Sequence, residues 1–426
     1  MNKPQHTNSY YAASANPAPE RGELGENIDV DVCIVGAGIT GCSTALHLAE
    51  KGYRVVVLEG NRVGWGASGR SGGQLIFGYA CEMDKLRSLV GRDDAQLLWD
   101  IADEAVGYTR SLIGKHKIQC DLRDGHLHAA VKPRHLRELE SWKKELEDEY
   151  GYRGLQLLDR DALQAVLATE AYLGGLLDPR SGHLHPLNYT LGLAAAAEQA
   201  GAIIHERSPA TDISYGQHHT VRTPAGQVRC KQLVFCGNAY LGDTEKRLRN
   251  KYMPVGTYIV ATEPLGEERA RSLICNNMAV ADMNFVLDYY RLSGDQRLLY
   301  GGRVSYSTLS PINLERAMKP RMLKVFPQLK DARIEYGWGG YVAITVNRAP
   351  HFGRLRDNVY FAQGFSGHGI GLTGMSGKLM AEAIAGTAER FDVFSRIPHM
   401  SFPGGKLFRT PALVLAMAWY RLRDLL

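Results

Sequence analysis

The sequence lacks three features that mark whole classes of protein. Its seven cysteines include no Cys-x-x-Cys pair and no histidine spacing that suits a metal ion. It has no long run of Lys and Arg, and a formal net charge of +5 is small for 426 residues. No apolar run approaches the roughly 20 residues that span a bilayer. These absences predict an enzyme with reduced thiols, in the cytoplasm, without a metal or a nucleic-acid partner.

Neither end of the chain predicts a membrane segment. Residues Met1 to Pro19 are polar and rich in Pro and Ala, without the apolar core of a signal peptide. The run from Pro411 to Tyr420 is apolar but about half the length needed to cross a bilayer. A helix packed on the body of the protein is favoured over a membrane anchor, so membrane contact is not expected.

A strand–helix–strand pattern near the start indicates a dinucleotide site. The apolar run Val32–Val35 predicts a buried strand and precedes three glycines spaced as G-x-G-x-x-G. These glycines are Gly36, Gly38 and Gly41. A helical pattern follows, and a second apolar run, Val55–Leu58, ends at Glu59, where a ribose-binding carboxylate is expected. The alternative, a Gly-rich turn with an exposed glutamate, explains only one of these features at a time.

A second Gly-rich stretch, residues 62–75, follows Glu59. Ser68 and Ser71 offer hydroxyl groups and Arg70 offers a guanidinium, while the glycines expose backbone N–H groups. Such a loop can surround an anionic cofactor at close range. A flexible surface loop is the alternative, and Trp65 and Leu75 at its edges disfavour it.

The remaining patterns predict a second layer and a third Gly-rich loop. Residues 84–116 and 134–150 have helical patterns, whereas residues 253–263 and 279–300 alternate as in an antiparallel sheet. The His183-Leu-His185-Pro186 stretch and His218-His219 favour turns over metal ligands. The Gly364–Gly374 loop leads into an apolar helix, predicted at 378–384, and directs backbone N–H groups at a negative charge.

These motifs together resemble the D-amino-acid-oxidase-type flavoenzymes over most of the chain. Three segments outside the cofactor motifs resemble, more closely, the gamma-glutamylputrescine oxidases of bacterial polyamine catabolism: residues 9–17, 287–292 and 402–405. The resemblance implies an α/β (α+β) fold with a Rossmann-like FAD-binding domain and an interleaved, mainly antiparallel substrate domain. The implied FAD-binding domain comprises residues 28–110, 181–245 and 335–426. The substrate-binding domain comprises residues 111–180 and 246–334, and residues 1–27 form an N-terminal arm.

The resemblance also implies a set of residues around FAD. Glu59 would bind the adenosine ribose, Ala210 would meet the adenine edge, and the loop at 367–370 would face the pyrimidine end of the ring. The implied cofactor contacts are Gly36, Gly38, Ile39, Thr40, Gly41, Glu59, Gly60, Gly66, Ala67, Ser68, Arg70, Ser71, Gly73, Gln74, Leu75, Ala210, Cys236, Gly237, Trp338, Gly340, Gly367, His368, Gly369, Ile370, Gly371, Leu372 and Thr373.

Three departures from related oxidases qualify the expected chemistry. Gly340 stands where monomeric sarcosine oxidases carry the cysteine that bonds to the flavin, so a non-covalent FAD is expected. Gly371 stands in place of a lysine that grips the substrate carboxylate, which favours a longer amine with a remote carboxylate. Leu299 stands in place of a lysine that assists oxygen in the related oxidases. The electron acceptor therefore stays open between oxygen and another molecule.

The expected reaction is oxidation of a gamma-glutamylated polyamine at its primary amine, giving an aldehyde, ammonia and hydrogen peroxide. Aromatic walls suit a cationic substrate. The substrate candidates are Tyr289, Tyr290, Trp338, Tyr341 and Arg303. Core aromatics and a surface salt bridge are the structural alternatives for these residues. A D-amino-acid or other amine dehydrogenase with a non-oxygen acceptor is the alternative function; a non-catalytic or tRNA-modifying flavoprotein is disfavoured by the low net charge.

Overall fold

The computed structural model describes residues 5–302 and 313–402. The substrate candidate Arg303 and the apolar run at 411–420 therefore lie outside the described residues. The strands, in chain order, are β1 (Asn27–Val35), β2 (Val55–Leu58), β3 (Gln74–Leu75), β4 (Arg123–Ala130), β5 (Gln156–Leu158), β6 (Gly174–His183), β7 (Ile203–His205), β8 (Asp212–Ser214), β9 (His219–Arg222), β10 (Gln227–Phe235), β11 (Tyr252–Thr262), β12 (Ala279–Asp282), β13 (Asp288–Leu292), β14 (Leu298–Gly302), β15 (Ile334–Thr345), β16 (His351–Arg356) and β17 (Val359–Gln363).

The helices connect and cover two sheets. In chain order they are α1 (Tyr10–Ala13), α2 (Ile39–Glu50), α3 (Met83–Val90), α4 (Arg92–Lys115), α5 (Pro133–Tyr150), α6 (Arg160–Val166), α7 (Pro186–Gln199), α8 (Lys246–Arg249), α9 (Glu267–Leu273), α10 (Leu314–Val325), α11 (Ile370–Ile384) and α12 (Glu389–Ser395). No helix within residues 5–302 and 313–402 is both long and apolar enough to cross a membrane.

The first sheet is mainly parallel and has the order β16-β17-β10-β1-β2-β7, with β9 pairing β10 and β8 pairing β9. Ile34 of β1 lies beside Val57 of β2, and both side chains are fully buried. These apolar runs form strands because a parallel sheet covered by helices buries both faces of its central strands. The predicted Rossmann-like layer is confirmed.

Close packing of α2 on the first sheet depends on glycine. A Cβ atom on Gly41 would lie 1.9 Å from the carbonyl oxygen of Gly36. Gly36 itself has φ +107, a conformation that glycine adopts without strain. The G-x-G-x-x-G spacing therefore sets the turn from β1 into α2 and the distance of the helix from the strand.

The second sheet is mainly antiparallel and has the order β15-β11-β14-β13-β12-β4-β6-β3, with β5 pairing β6. One face packs on a separate apolar cluster that includes Val260, Tyr290 and Tyr300. Part of the opposite face lines a large cavity, through residues such as Thr257, Ala281 and Tyr289. The antiparallel layer predicted for residues 253–263 and 279–300 is confirmed, although β12 pairs β4 in parallel.

Three local predictions were wrong. The last long helix begins at Ile370 rather than near 378, because Gly377 fits against α2, where a Cβ would lie 2.6 Å from Ser43 Cβ. The helical pattern at 84–116 is two helices, separated at Gly91 with φ +86. His219 is a buried residue of strand β9 rather than part of a polar turn.

Candidate active site

A cavity of about 1090 Å³ lies between the two sheets. The carboxyl ends of β1, β2 and β10 open into it, through Val35, Leu58 and Cys236. Ligands of open parallel sheets bind at this edge, where the loops after the strands meet. The cavity continues beneath the second sheet. We call the end beside the glycine-rich turns the nucleotide-like end, because its groups suit a nucleotide, and the end beneath the second sheet the aromatic end.

At the nucleotide-like end, Glu59 closes the Gly-rich turn. Its Oε2 accepts a hydrogen bond from the backbone N–H of Ala37 at 2.8 Å, and Oε1 accepts one from Asn61 N at 2.9 Å. Burial raises the pKa of Glu59, while these backbone donors oppose the shift. The carboxylate thus lies beside the first glycines and lines the cavity, as a ribose ligand would require.

Ser68 lies across the cavity floor from the start of α2. Its Oγ accepts a hydrogen bond from Ile39 N at 3.0 Å and would lie 2.8 Å from a Cβ on Gly38. The first turn of α2 contains no acidic residue, and Gly38 provides no side-chain cap. A helix start with a glycine N-cap and a positive dipole end fits a pyrophosphate.

The loop before β3 brings further polar groups to the cavity. Ser71, Gly73 and Gln74 line it, and the buried Oγ of Ser71 has no hydrogen-bond partner among the described residues. A Cβ on Gly72 would lie 2.7 Å from Cε2 of Tyr289, so this loop meets the second sheet directly. The orphaned hydroxyl and the exposed glycine backbone fit an anionic, polyhydroxylated chain such as that of FAD.

A third glycine-rich turn, Gly367–Ile370, completes the cavity at the start of α11. Gly369 is the N-cap of this helix and provides no side-chain cap, so backbone N–H groups face the cavity end. Burial, followed by the charge of Arg348, lowers the pKa of His368 to about 3. With His368 uncharged, the start of α11 and the guanidinium of Arg348, which also lines the cavity, supply positive potential at this spot.

Most of the predicted cofactor residues line the cavity, and several do not. Gly41 and Gly371 instead lie where a helix packs closely on a neighbouring element, and Leu75 is buried in the core. Arg70 lies outside the lining because it donates to the carbonyl of Trp65 at 2.7 Å and stacks on the Trp65 ring. The predicted contacts absent from the lining are Gly41, Arg70, Leu75, Trp338, Gly340, Gly371 and Leu372.

The aromatic substrate candidates divide by sheet face. Tyr289 and Tyr341 line the cavity. Tyr290, the next residue of β13, is buried on the opposite face, where its ring stacks on Tyr300 with centroids 5.5 Å apart. Trp338 lies outside the lining, and its Nε1 donates to the Arg70 carbonyl at 3.0 Å. Tyr290 and Trp338 are therefore corrected from substrate candidates to structural residues.

The cavity also contains side chains that the sequence interpretation missed. His126 and His128 of β4, Trp142 of α5 and Asp282 of β12 all line it. Burial, followed by the charge of Asp288, raises the pKa of Asp282 to about 7. The sequence carried a usable signal, because residues 125–131 have the pattern of a strand, alternate residues of a strand share a face, and His126 and His128 are two apart.

The chain is similar to known proteins over most of its length. Residues 31–383 match the family described as FAD dependent oxidoreductase, DAO. The chain is 47% identical over 421 residues to gamma-glutamylputrescine oxidoreductase of Escherichia coli K12, covering 99% of both chains. It is 42% identical over 425 residues to the probable oxidoreductase OrdL of Haemophilus influenzae, covering 99% and 98% of the two chains.

Solved structures share the fold at lower identity. Glycine oxidase from Geobacillus kaustophilus has a TM-score of 0.70 at 21% identity, covering 86% of this chain and 98% of that chain. L-proline dehydrogenase from P. horikoshii has a TM-score of 0.69 at 20% identity, covering 88% and 96%. These likenesses establish the architecture, and the relatives with higher identity bear on chemistry.

Proposed function

Because this chain belongs to the FAD dependent oxidoreductase family, we propose that it oxidises the primary amine of a gamma-glutamylated polyamine. The observation that carries the proposal is the 47% identity, over 99% of both chains, to a protein named gamma-glutamylputrescine oxidoreductase. The cavity supports it, since an aromatic end continues from the nucleotide-like end and could receive a long, flexible amine. The chain is an enzyme that depends on FAD.

The proposed reaction converts the primary amine and its neighbouring CH2 group to an imine, with loss of two electrons and two protons. Water then hydrolyses the imine to an aldehyde and ammonia. Bound FAD supplies the acceptor for the two electrons. The amine must lose its extra proton before it is oxidised, because the nitrogen lone pair forms the new C=N bond.

We propose that FAD is held by the three glycine-rich turns. Glu59 binds the adenosine ribose, the start of α2 meets the pyrophosphate, and the Gly367–Ile370 turn meets the pyrimidine end of the ring. The geometry that supports this assignment is the Glu59 carboxylate beside Ala37 N and the two helix starts whose N-cap residues are glycines. Non-covalent attachment is proposed because residue 340 is glycine. Release of the flavin by acid precipitation would test the attachment.

A second set of proposed contacts binds the substrate. Tyr289 of β13 and Tyr341 of β15 both line the cavity and present aromatic surface to the alkyl chain. An alkyl ammonium of ordinary pKa, near that of lysine at about 10.4, is mostly charged at neutral pH. An apolar, aromatic wall lowers the pKa of a bound ammonium by desolvation and favours its reactive, uncharged form.

The test is anaerobic bleaching of the flavin absorbance by a panel of amines. Gamma-glutamylputrescine, putrescine, sarcosine and a D-amino acid are compared at equal concentration. Fast bleaching by gamma-glutamylputrescine, with little by the others, is expected. Bleaching by sarcosine or the D-amino acid alone would refute the proposed substrate class and favour an amino-acid dehydrogenase.

We propose that oxygen accepts the electrons from the reduced enzyme, releasing hydrogen peroxide. The buried Leu299 gives this step no charged assistance, so a dehydrogenase with another acceptor is the alternative that the test must separate. Peroxide yield per amine, compared with reduction of an artificial dye, separates the two. A yield near one peroxide per aldehyde supports the oxidase, and dye reduction without peroxide supports the dehydrogenase.

A further inference from the structure

Two histidines of β4 form the most unusual polar group in the cavity wall. The rings of His126 and His128 have centroids 4.6 Å apart, and both residues line the cavity. They share one face of the strand because side chains two residues apart point the same way. Their cross-strand neighbours on β12 are Ala279 and Ala281, whose small side chains leave the imidazoles open to the cavity.

The hydrogen bonds of the pair are incomplete. His126 is fully buried, its Nε2 lies 3.4 Å from Gln74 Oε1, and its Nδ1 has no hydrogen-bond partner among the described residues. A buried polar atom without a partner costs free energy, and a ligand that supplies the partner recovers it. Gln74 in turn is held by its Nε2, which donates to Val280 O at 3.1 Å.

His128 lies between this polar corner and the aromatic end of the cavity. Its ring meets the ring of Trp142 edge-on, with centroids 5.1 Å apart. Trp142 stacks in turn on Phe77 at 5.6 Å, and both aromatic rings line the cavity. On the other side, Ala281 lies beside both His128 and Tyr289 in the sheet, so the two candidate substrate contacts share one row.

Burial keeps the two histidines neutral. Burial lowers the pKa of His128 to about 4, and the pKa of His126 is lowered by burial and by the neighbouring His128, His368 and His183. The nearest carboxylate that acts on His128, Asp178 of β6, is already bound by Tyr152 OH at 2.8 Å and by Arg180 N at 3.0 Å. The pair therefore offers lone pairs without a negative charge.

We propose that His128, positioned by His126 and Gln74, accepts a hydrogen bond from the reacting amine of the substrate and so selects its uncharged form. A neutral imidazole has one acceptor nitrogen and one donor nitrogen. An amine held through its N–H keeps its lone pair available for the C=N bond, whereas a carboxylate at this place would favour the unreactive ammonium. The inference rests on the proposed function, which it deepens.

Binding must then release a proton. The substrate arrives mainly as an ammonium ion, so selection of the free amine transfers its extra proton to the solvent. The measurement uses the FAD-loaded enzyme reduced with dithionite under anaerobic conditions, which binds gamma-glutamylputrescine without oxidising it. Calorimetry in two buffers of different ionisation enthalpy counts the protons released at neutral pH. Release approaching one proton per bound amine is expected.

Three variants assign the effect to His128. His128→Phe keeps a ring but removes the acceptor, and we expect it to weaken binding of the amine about tenfold, the value of one hydrogen bond in a buried site. His128→Gln keeps an acceptor and should bind within about threefold of the wild type. His219→Phe alters a buried histidine of β9 outside the cavity and should leave binding unchanged.

The outcomes separate this inference from the proposed function. Failure of every amine to bleach the wild-type flavin would refute both together. Bleaching by gamma-glutamylputrescine, with binding that releases no proton, would refute the inference alone. Equal binding by His128→Phe and the wild type would do the same. The proton count needs no variant, so the inference stays testable even if a substitution prevents folding.

Discussion

Asp282 shows how the cavity changes the chemistry of a single side chain. Its Oδ1 accepts a hydrogen bond from Asn284 N and its Oδ2 one from Asn284 Nδ2, both at 3.0 Å. Burial and the neighbouring Asp288 outweigh these donors and raise the pKa of Asp282 to about 7. The folded protein therefore holds a proton that the unfolded chain, with an ordinary aspartate pKa near 3.9, releases.

This difference predicts a pH dependence of stability. The stabilising contribution of protonated Asp282 is fully present below pH 4 and is lost as the pH rises through 7. Asp282→Asn should remove this loss, so the variant should exceed the wild type in unfolding free energy at pH 8 by about 1 kcal/mol or more. Urea unfolding at pH 5 and pH 8 measures the difference.

The control for this prediction is the exposed Asp357→Asn, which should leave the pH dependence of unfolding as in the wild type. A loss of stability between pH 5 and pH 8 that is equal in the wild type and in Asp282→Asn would contradict the assignment.

At the residue scale, sequence patterns located the nucleotide-like groups better than the substrate groups. Glu59 could be placed because its distance from the glycines is fixed by one strand–helix–strand unit. Tyr289 and Tyr290 could not be separated, because alternation tells which residues share a face but not which face is covered. That choice depends on the packing of distant residues such as Tyr300.

At the scale of elements, the contact between α2 and α11 fixes the positions of the two glycine-rich turns that precede these helices. A Cβ on Gly377 would lie 2.6 Å from Ser43 Cβ and 2.7 Å from Thr44 N. Both helices begin at the cavity, so a change in their spacing moves two helix starts at once. The same close packing explains why the glycine-rich pattern was read as a loop, since glycine in isolation disfavours a helix.

Gly377→Ala should therefore separate the two helices. We expect the free energy of unfolding to fall by about 1–3 kcal/mol, as for other overpacked cores, and the affinity for FAD to fall with it. Thermal unfolding and flavin fluorescence measure the two effects.

Gly107→Ala is the matched control, because this glycine of α4 has open space around its missing Cβ. Alanine is a better helix former than glycine, so this variant should gain up to about 1 kcal/mol. Equal effects of the two substitutions would contradict the packing argument.

At the scale of the whole molecule, the N-terminal arm joins the second sheet to α7. Tyr11 is fully buried, its OH accepts a hydrogen bond from Arg291 Nη2 at 3.0 Å, and its ring meets Trp338 and His185. Asn16 N donates to Asn188 Oδ1 at 2.8 Å, which ties the arm to α7. The arm was predicted only as a polar extension, because short segments bury themselves against partners that a local pattern does not contain.

Tyr11→Ala should lower the free energy of unfolding by about 3–5 kcal/mol, through loss of a large buried ring between the second sheet and α7. Tyr11→Phe should cost only about 1 kcal/mol, because Arg291 Nη2 still donates to Leu184 O at 2.9 Å. Chemical unfolding of both variants provides the measurement. Similar losses in the two would mean that the hydroxyl, rather than the ring, makes the connection.

The order of strands in the first sheet has a consequence for biosynthesis. β10 pairs with β1, from the start of the chain, and with β17, whose residues are made more than a hundred positions after its own. The third glycine-rich turn and α11 come later still. A chain grows from its N-terminus, and contacts between distant segments form slowly. The emerging polypeptide therefore lacks a complete nucleotide site until β17, the third glycine-rich turn and α11 have been made, so we expect FAD to bind late in synthesis or after it.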